Sequence, residues 1–204
     1  MNQIPQNMRK LFFIIFLFAN LTLHAQNMSV EQVRDSWFNT SITGVGGGDI
    51  ISLAKAFQRK FPTRAGKQLL ATVAKRPGAD AAKKSGYIGY ADDVTEEMGS
   101  PEEMEVCVWR RDNGHRLFAV NFNSLEFDIH ALCFFDYDPQ TRTLKPEKAL
   151  SDDIKPKESQ NYYINLPETG KEIHINEHIG ERVNSYTYGW DGMKPVLKET
   201  KVAK

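Results

Sequence analysis

The chain has 204 residues, with 26 basic and 26 acidic side chains and no net charge. Its N-terminal stretch carries two cations and no anion, so the chain without that stretch has 24 basic and 26 acidic residues, a balance that argues against nucleic acid as a partner. The remaining length of about 180 residues is enough for one domain with a sizeable core.

Arg9 and Lys10 precede a largely apolar run from Leu11 to Leu23, followed by His24, Ala25 and Gln26. Basic residues, a short apolar run and a small residue at the cut are the marks of a secretory signal peptide. The run is too short to cross about 30 Å of hydrocarbon as a helix, and no second run is longer. The expected product is a secreted or periplasmic protein, cut after Ala25, with no integral membrane segment once the leader is removed.

Helical periodicity opens the rest of the chain. Ser29 to Gln32 has the form of a capping box, and Val30, Val33 and Trp37 then share a face. The glycines of TGVGGGDI, at 44, 46, 47 and 48, break this helix, and Asp49 is placed to cap the next. Ile50, Leu53, Ala54, Phe57 and Phe61 form a stripe ending at Pro62; Leu69, Leu70 and Val73 predict a third helix, stopped at Pro77-Gly78. A Gly-rich loop before a helix is able to cradle phosphate, but no strand-like run precedes this one and no Lys-Ser/Thr follows, so it reads as a connector.

From Ser85 the period changes to two. Asn113-Gly114 in EVCVWRRDNGHRLFAVNF predicts a hairpin pairing Trp109 with Phe118 and Cys107 with Val120, and further turns fall at Asp138-Pro139, Pro167 to Gly170 and Asp191-Gly192. Both faces of the first hairpin carry apolar residues, so it belongs in the middle of its sheet. DDVTEEMGSPEE and KALSDDIKPKES read as exposed connections. The predicted fold is α+β: a leader over 1–25, then one domain over 26–204, with two to three helices within about 29–75 packed on an antiparallel meander of successive hairpins within about 85–200.

Candidate chemistry is sparse. HINEH, His174 to His178, has the His-x-x-Glu-His spacing of one zinc-protease class. It follows the turn PETG with the alternation of a strand, however. Four residues of strand span about 13 Å, whereas two histidines on one zinc bring their nitrogens within about 4 Å, so the two cannot share a metal there. Ile173 and Ile175 then face the core, and the histidines a polar face. Ser124, Asp128 and His130 lie too close along an extended segment to converge as a triad. Asp92, Asp93, Glu96 and Glu97, and Asp136 with Asp138 around Tyr137, are the candidate carboxylate pairs, read first as solvated groups; Asp136 and Asp138 lack a complete calcium loop. His115 reads as a solvated residue at a turn. Cys107 and Cys133 either pair or remain buried thiols. No catalytic, cofactor-binding or metal-binding residue is assigned. Trp190, at a hairpin tip, and Tyr188 are the candidate partner-binding residues, with Trp190 either folded onto the sheet or projecting as an anchor.

GGGDIISLAKAFQRKFPT, SGYIGY, EVCVWRRDNGHRLFAVNF, FFDYDPQTRTLKP and NLPETGKEI together resemble a family of secreted proteins common in Bacteroidetes-type bacteria. The resemblance covers nearly the whole chain after the leader. It implies an envelope or extracellular location and an undivided domain, and brings no assigned activity. The function expected from these readings is a secreted, non-catalytic module that binds a protein or glycan of the cell envelope. The alternatives are an envelope hydrolase with a carboxylate pair and a structural accessory of an envelope assembly.

Overall fold

The computed structural model describes residues 35–74, 78–92, 101–124, 129–154 and 161–203. The leader, the capping box and most of the first predicted helix lie outside them, as do Asp93, Glu96, Glu97 and Asp128. The last turn of that helix, residues 35–38, is helical and buries Trp37 and Phe38.

Helix α1 (Ile50–Lys60) begins where Asp49 accepts hydrogen bonds from the Ile51 and Ser52 amides, and its stripe buries Ile50, Leu53, Ala54 and Phe57. Helix α2 (Arg64–Val73) is capped by Thr63, whose side chain accepts from the Gly66 amide. Helix α3 (Gly78–Ser85) follows directly, where the Pro77-Gly78 signal predicted only an end.

Among the described residues nine strands form two antiparallel sheets. Sheet A holds β1 (Tyr87–Ala91), β2 (Glu102–Arg110), β3 (Arg116–Ser124), β4 (Ile129–Asp138) and β5 (Thr143–Pro146) in sequential order. Sheet B holds β6 (Tyr162–Asn165), β7 (Ile173–Ile179), β8 (Arg182–Trp190) and β9 (Pro195–Ala203), also in order. Between the sheets, KALSDDI is not an exposed connection: Lys148–Ile154 is helix α4, because Leu150 and Ile154 stand one turn apart and both enter the core. The turns at Asp138-Pro139, Pro167 to Gly170 and Asp191-Gly192 all join paired strands. A further hairpin joins β7 to β8 at Gly180, where φ is +60° and Ile179 pairs with Arg182.

The first hairpin is displaced by one residue from the expected register. Trp109 pairs with Leu117, Cys107 with Ala119 and Val108 with Phe118. The reason is the turn. Arg111 and His115 close it through Arg111 N–H to His115 O, 3.0 Å, and Gly114 stands at φ +84° and donates to Arg111 O. The loop therefore takes three residues, with glycine in the left-handed position, where two residues were expected. Since one residue of slip exchanges the faces, this turn decides what each side of the sheet meets.

On one face Val106, Phe118, Val120, Phe122, Cys133 and Phe135 meet the helices. Phe57 is the hub there, edge-on to Trp37 at 5.0 Å and to Phe135 at 5.6 Å between ring centroids. On the other face Cys107, Trp109, Leu117, Ala119, Leu132 and Phe134 meet Leu150 and Ile154 of α4 and Ile164, Ile173 and Ile175 of sheet B. The protein is a three-layer stack with sheet A in the middle, which is why β2 and β3 are apolar on both sides.

The same layering separates the cysteines. Cys107 lies on β2 in the intersheet core and Cys133 on β4 in the helix-side core, with β3 between them. Strands two apart are about 10 Å from each other, beyond the Cα separation of about 4.4–6.8 Å that a bridge accepts. Burial pushes the Cys107 thiol up to about 12. The folded protein should therefore resist iodoacetamide at neutral pH and take up two equivalents only in denaturant, with no change in electrophoretic mobility on reduction.

Candidate functional site

The inner face of sheet A changes character along its strands. Down β2 the residues of this face are Trp109, Cys107, Glu105 and Glu103; down β3 they are Leu117, Ala119, Asn121 and Asn123; down β4 they are Phe134, Leu132 and His130. The sheets close over a dry core at the Trp109 end. At the Glu103 end polar groups replace it, and a cleft of about 370 Å³ opens between the outer strands β1 and β6.

The Trp109 end is clamped. Trp190 stacks on Trp109 with ring centroids 5.8 Å apart and planes 14° from parallel. The β2–β3 turn docks on the β8–β9 turn through Asp112 N–H to Gly192 O, 3.0 Å, and Arg111 Nε to Met193 O, 2.8 Å. Arg111, with its side chain only 7 % exposed, also donates to Asp136 and to both oxygens of Glu147. Burial works against the charge on this guanidinium, but the Glu147 and Asp136 carboxylates outweigh it and hold the proton more firmly than usual. Truncating such a paired, buried charge leaves its partners uncompensated, which is costly.

The open end has a built floor. Gly89 and Ala91 of β1 stand opposite Glu105 and Glu103, so the residues paired with the two carboxylates bring no bulky side chain over them. The Tyr87 hydroxyl crosses in front of Gly89, where a Cβ would collide with it, and donates to Glu105 Oε1 at 2.8 Å. Glu105 Oε2 accepts from Asn121 Nδ2 at 2.8 Å and from the Leu166 amide at 3.3 Å. Glu103 Oε2 accepts from Asn123 Nδ2 at 3.3 Å and from the Tyr163 hydroxyl at 3.5 Å. Burial, then the adjacent Glu105 charge, raises the Tyr87 pKa; for Tyr163 the Glu103 charge is the first cause of the rise and burial the second. Glu168 completes the wall, while the Tyr90 ring packs against the helix-side core.

A second, wider groove of about 630 Å³ runs between the loop from Leu166 to Glu172 and the residues His174, Trp190 and Lys198. Asn165 and Glu168 line both. The two adjoin at these residues, at the end of β6, and together form a trough that reaches from Tyr87 to Trp190.

The sequence-nominated residues divide accordingly. Trp190 folds back onto Trp109 and lines the trough. Tyr188 is half-buried against the intersheet core, and burial raises its pKa. HINEH lies on β7: His174 and His178 share an exposed face, while Ile173, Ile175 and Glu177 face inward and are buried. His115 is not a solvated tip, since its Nδ1 lies 2.8 Å from Asp136. Asp138 accepts from the Gln140 amide and the Thr141 hydroxyl, which explains it as a turn residue. His130 meets Asn123 on the inner face, whereas Ser124 belongs to the opposite face, so the paper triad does not form. Among the described residues no three His, Cys, Asp or Glu side chains converge into a group able to hold a metal ion.

Glu103, Glu105, Asn121, Asn123, Tyr87 and Tyr163 were not anticipated. Glu102 and Glu103, assigned to a charged connection, begin strand β2. The signal was present in EEMEVCVW and NFNS, where carboxylates and amides alternate with apolar residues in the phase of Cys107 and Ala119. No family model, curated protein or solved structure matches this chain, so function has to be read from the trough.

Asp92, from the predicted acidic cluster, supports the site from behind. It accepts from the Arg64 guanidinium at 2.5 Å, the Tyr90 hydroxyl at 2.7 Å and the Glu102 amide at 3.0 Å, anchoring the start of β2. Burial alone would raise its pKa, but the Glu102 amide, Tyr90 and Arg64 together hold it below the ordinary 3.8. A carboxyl depressed in the folded state adds stability above its unfolded pKa and loses it as pH falls through the folded value. Asp92→Asn should therefore lower the urea midpoint at pH 7, with the deficit shrinking below the ordinary aspartate range and vanishing in strong acid.

Proposed function

We propose that the protein is a secreted, non-catalytic module of the cell envelope that binds a protein or glycan partner in the trough along β6. The leader supports the compartment. The observation that carries the binding role is the trough itself: an open cleft between two sheet edges with an adjoining groove, walled by Tyr87, Tyr163 and Trp190 and floored by hydrogen-bonding side chains. Aromatic walls with a few placed polar groups suit recognition, because they supply contact area at low entropic cost. Tyr163, 53 % exposed, is the most open ring of the three.

A hydrolase reading has less support. Glu103 and Glu105 stand on one face of β2, but three donors occupy the two oxygens of Glu105, and that carboxylate serves to hold Tyr87, Asn121 and the 166 amide in place. A general acid or base needs an oxygen free to exchange a proton with substrate.

Tyr163→Ala and Trp190→Ala separate recognition from stability. Affinity capture from native envelope contents should fall at least fivefold with Tyr163→Ala while its unfolding free energy stays within about 0.5 kcal/mol of the parent's, as for exposed positions. Trp190→Ala should weaken capture and also destabilise, because it removes the stack on Trp109. Undiminished capture by both variants would place the binding surface elsewhere.

A further inference from the structure

We infer that the cleft half of the trough receives the cationic side chain, lysine or arginine, of an extended polypeptide partner. This rests on the trough being the binding surface and names the chemistry it selects.

Among the described residues the lining of the cleft holds three carboxylates, Glu103, Glu105 and Glu168, the rings of Tyr87 and Tyr163, and no lysine, arginine or histidine. The hydrogen bonds that Glu103 and Glu105 accept from described residues come from neutral donors: tyrosine hydroxyls, asparagine amides and a backbone amide. Among the described residues no cation therefore pairs with their charge, at a place where the solvent is partly excluded. Tyr163 registers that potential directly, since the Glu103 charge is the main reason its proton is held.

A separate observation comes from beneath the floor. Asn121 is 2 % exposed, and its Nδ2 is spent on Glu105 Oε2 and Ile164 O, two residues that line the cleft. Its Oδ1 is left a buried acceptor with no donor among the described residues. The carboxylates and the carbonyl oxygen buried beneath them thus leave acceptors in excess of donors at the floor, and the complement of that floor is a guest rich in N–H.

Among the described residues the carboxylates do not gather into a group of three able to hold a metal ion, so the guest that suits them is one that spans them, as an ammonium or a guanidinium on a flexible stem does. Tyrosine faces add cation–π attraction, which favours the same guest over a neutral sugar. The cleft, which lies between the outer strands β1 and β6, also adjoins the Trp190 groove at Asn165 and Glu168, and this extended shape suits a chain rather than a small amine.

The test uses the leaderless protein and two end-blocked pentapeptides, glycine around a central arginine and glycine around citrulline, its neutral isostere. Binding is read by amide chemical shifts at Tyr163 and Asn123. The arginine peptide should bind at least tenfold more tightly than the citrulline peptide. The difference should collapse in Glu103→Gln and shrink as ionic strength rises from about 0.05 M to about 0.5 M. Equal affinity for the two peptides, or no shift with either, would overturn the inference. So would a neutral hexasaccharide binding with shifts along Asn165 and Trp190 that Glu103→Gln leaves unchanged, and that result would keep the trough as the binding surface.

Discussion

The architecture depends on the inner face of β2 and β3, where apolar side chains give way to carboxylates and amides halfway along the strands. Trp109, Cys107, Leu117 and Ala119 must leave water, and sheet B and α4 are what they bury against. Glu105, Glu103, Asn121 and Asn123 cannot be buried without partners. Sheet B therefore covers one half of the face and leaves the other half open. A single strand pair specifies both the core that holds the layers together and the cleft that they leave.

Other features follow from that division. The closed end is fastened by the Trp109–Trp190 stack and by Arg111, which gathers Asp136, Glu147 and the Met193 carbonyl around one guanidinium. At the open end Tyr87, Asn121 and the Leu166 amide hold Glu105 in one place, so the floor is organised before any guest arrives. Preorganised polar groups bind at less cost than groups that must be ordered on contact. The helix layer takes no part in the trough, but through Arg64, Asp92 and the Glu102 carboxylate that accepts from the Ala65 amide it sets where β2 begins.

Much of the fold was legible. The glycine run with Asp49, the stripe through Phe57, the switch to period two and four of the turns all fall where local patterning places them. What was not legible was set by single residues acting at a distance. One extra residue in the turn at Gly114 moved the pairing of the whole first hairpin, and no pattern within the strands records the loop count. Leu150 and Ile154 look like a charged connection because only two apolar residues in seven are needed to seat a short helix on a sheet already built. The site was hidden for a related reason. Glu102 and Glu103 continue an acidic stretch, and only the phase of Glu105 against Cys107 marks them as part of a strand facing the second sheet. Trp190 was nominated for its place at a turn, and its role became clear only once Trp109, 81 residues away, was found beneath it.

The most direct test of this account compares two introduced cysteines on one face of β3. In single variants Asn123→Cys and Ala119→Cys, native-state alkylation rates report whether each position is open. The account predicts that the thiol at 123 reacts close to the rate of the unfolded chain, while the thiol at 119 reacts only as fast as the protein unfolds. Equal protection at both positions would contradict it, because the two sheets would then be closed along the whole face and there would be no cleft.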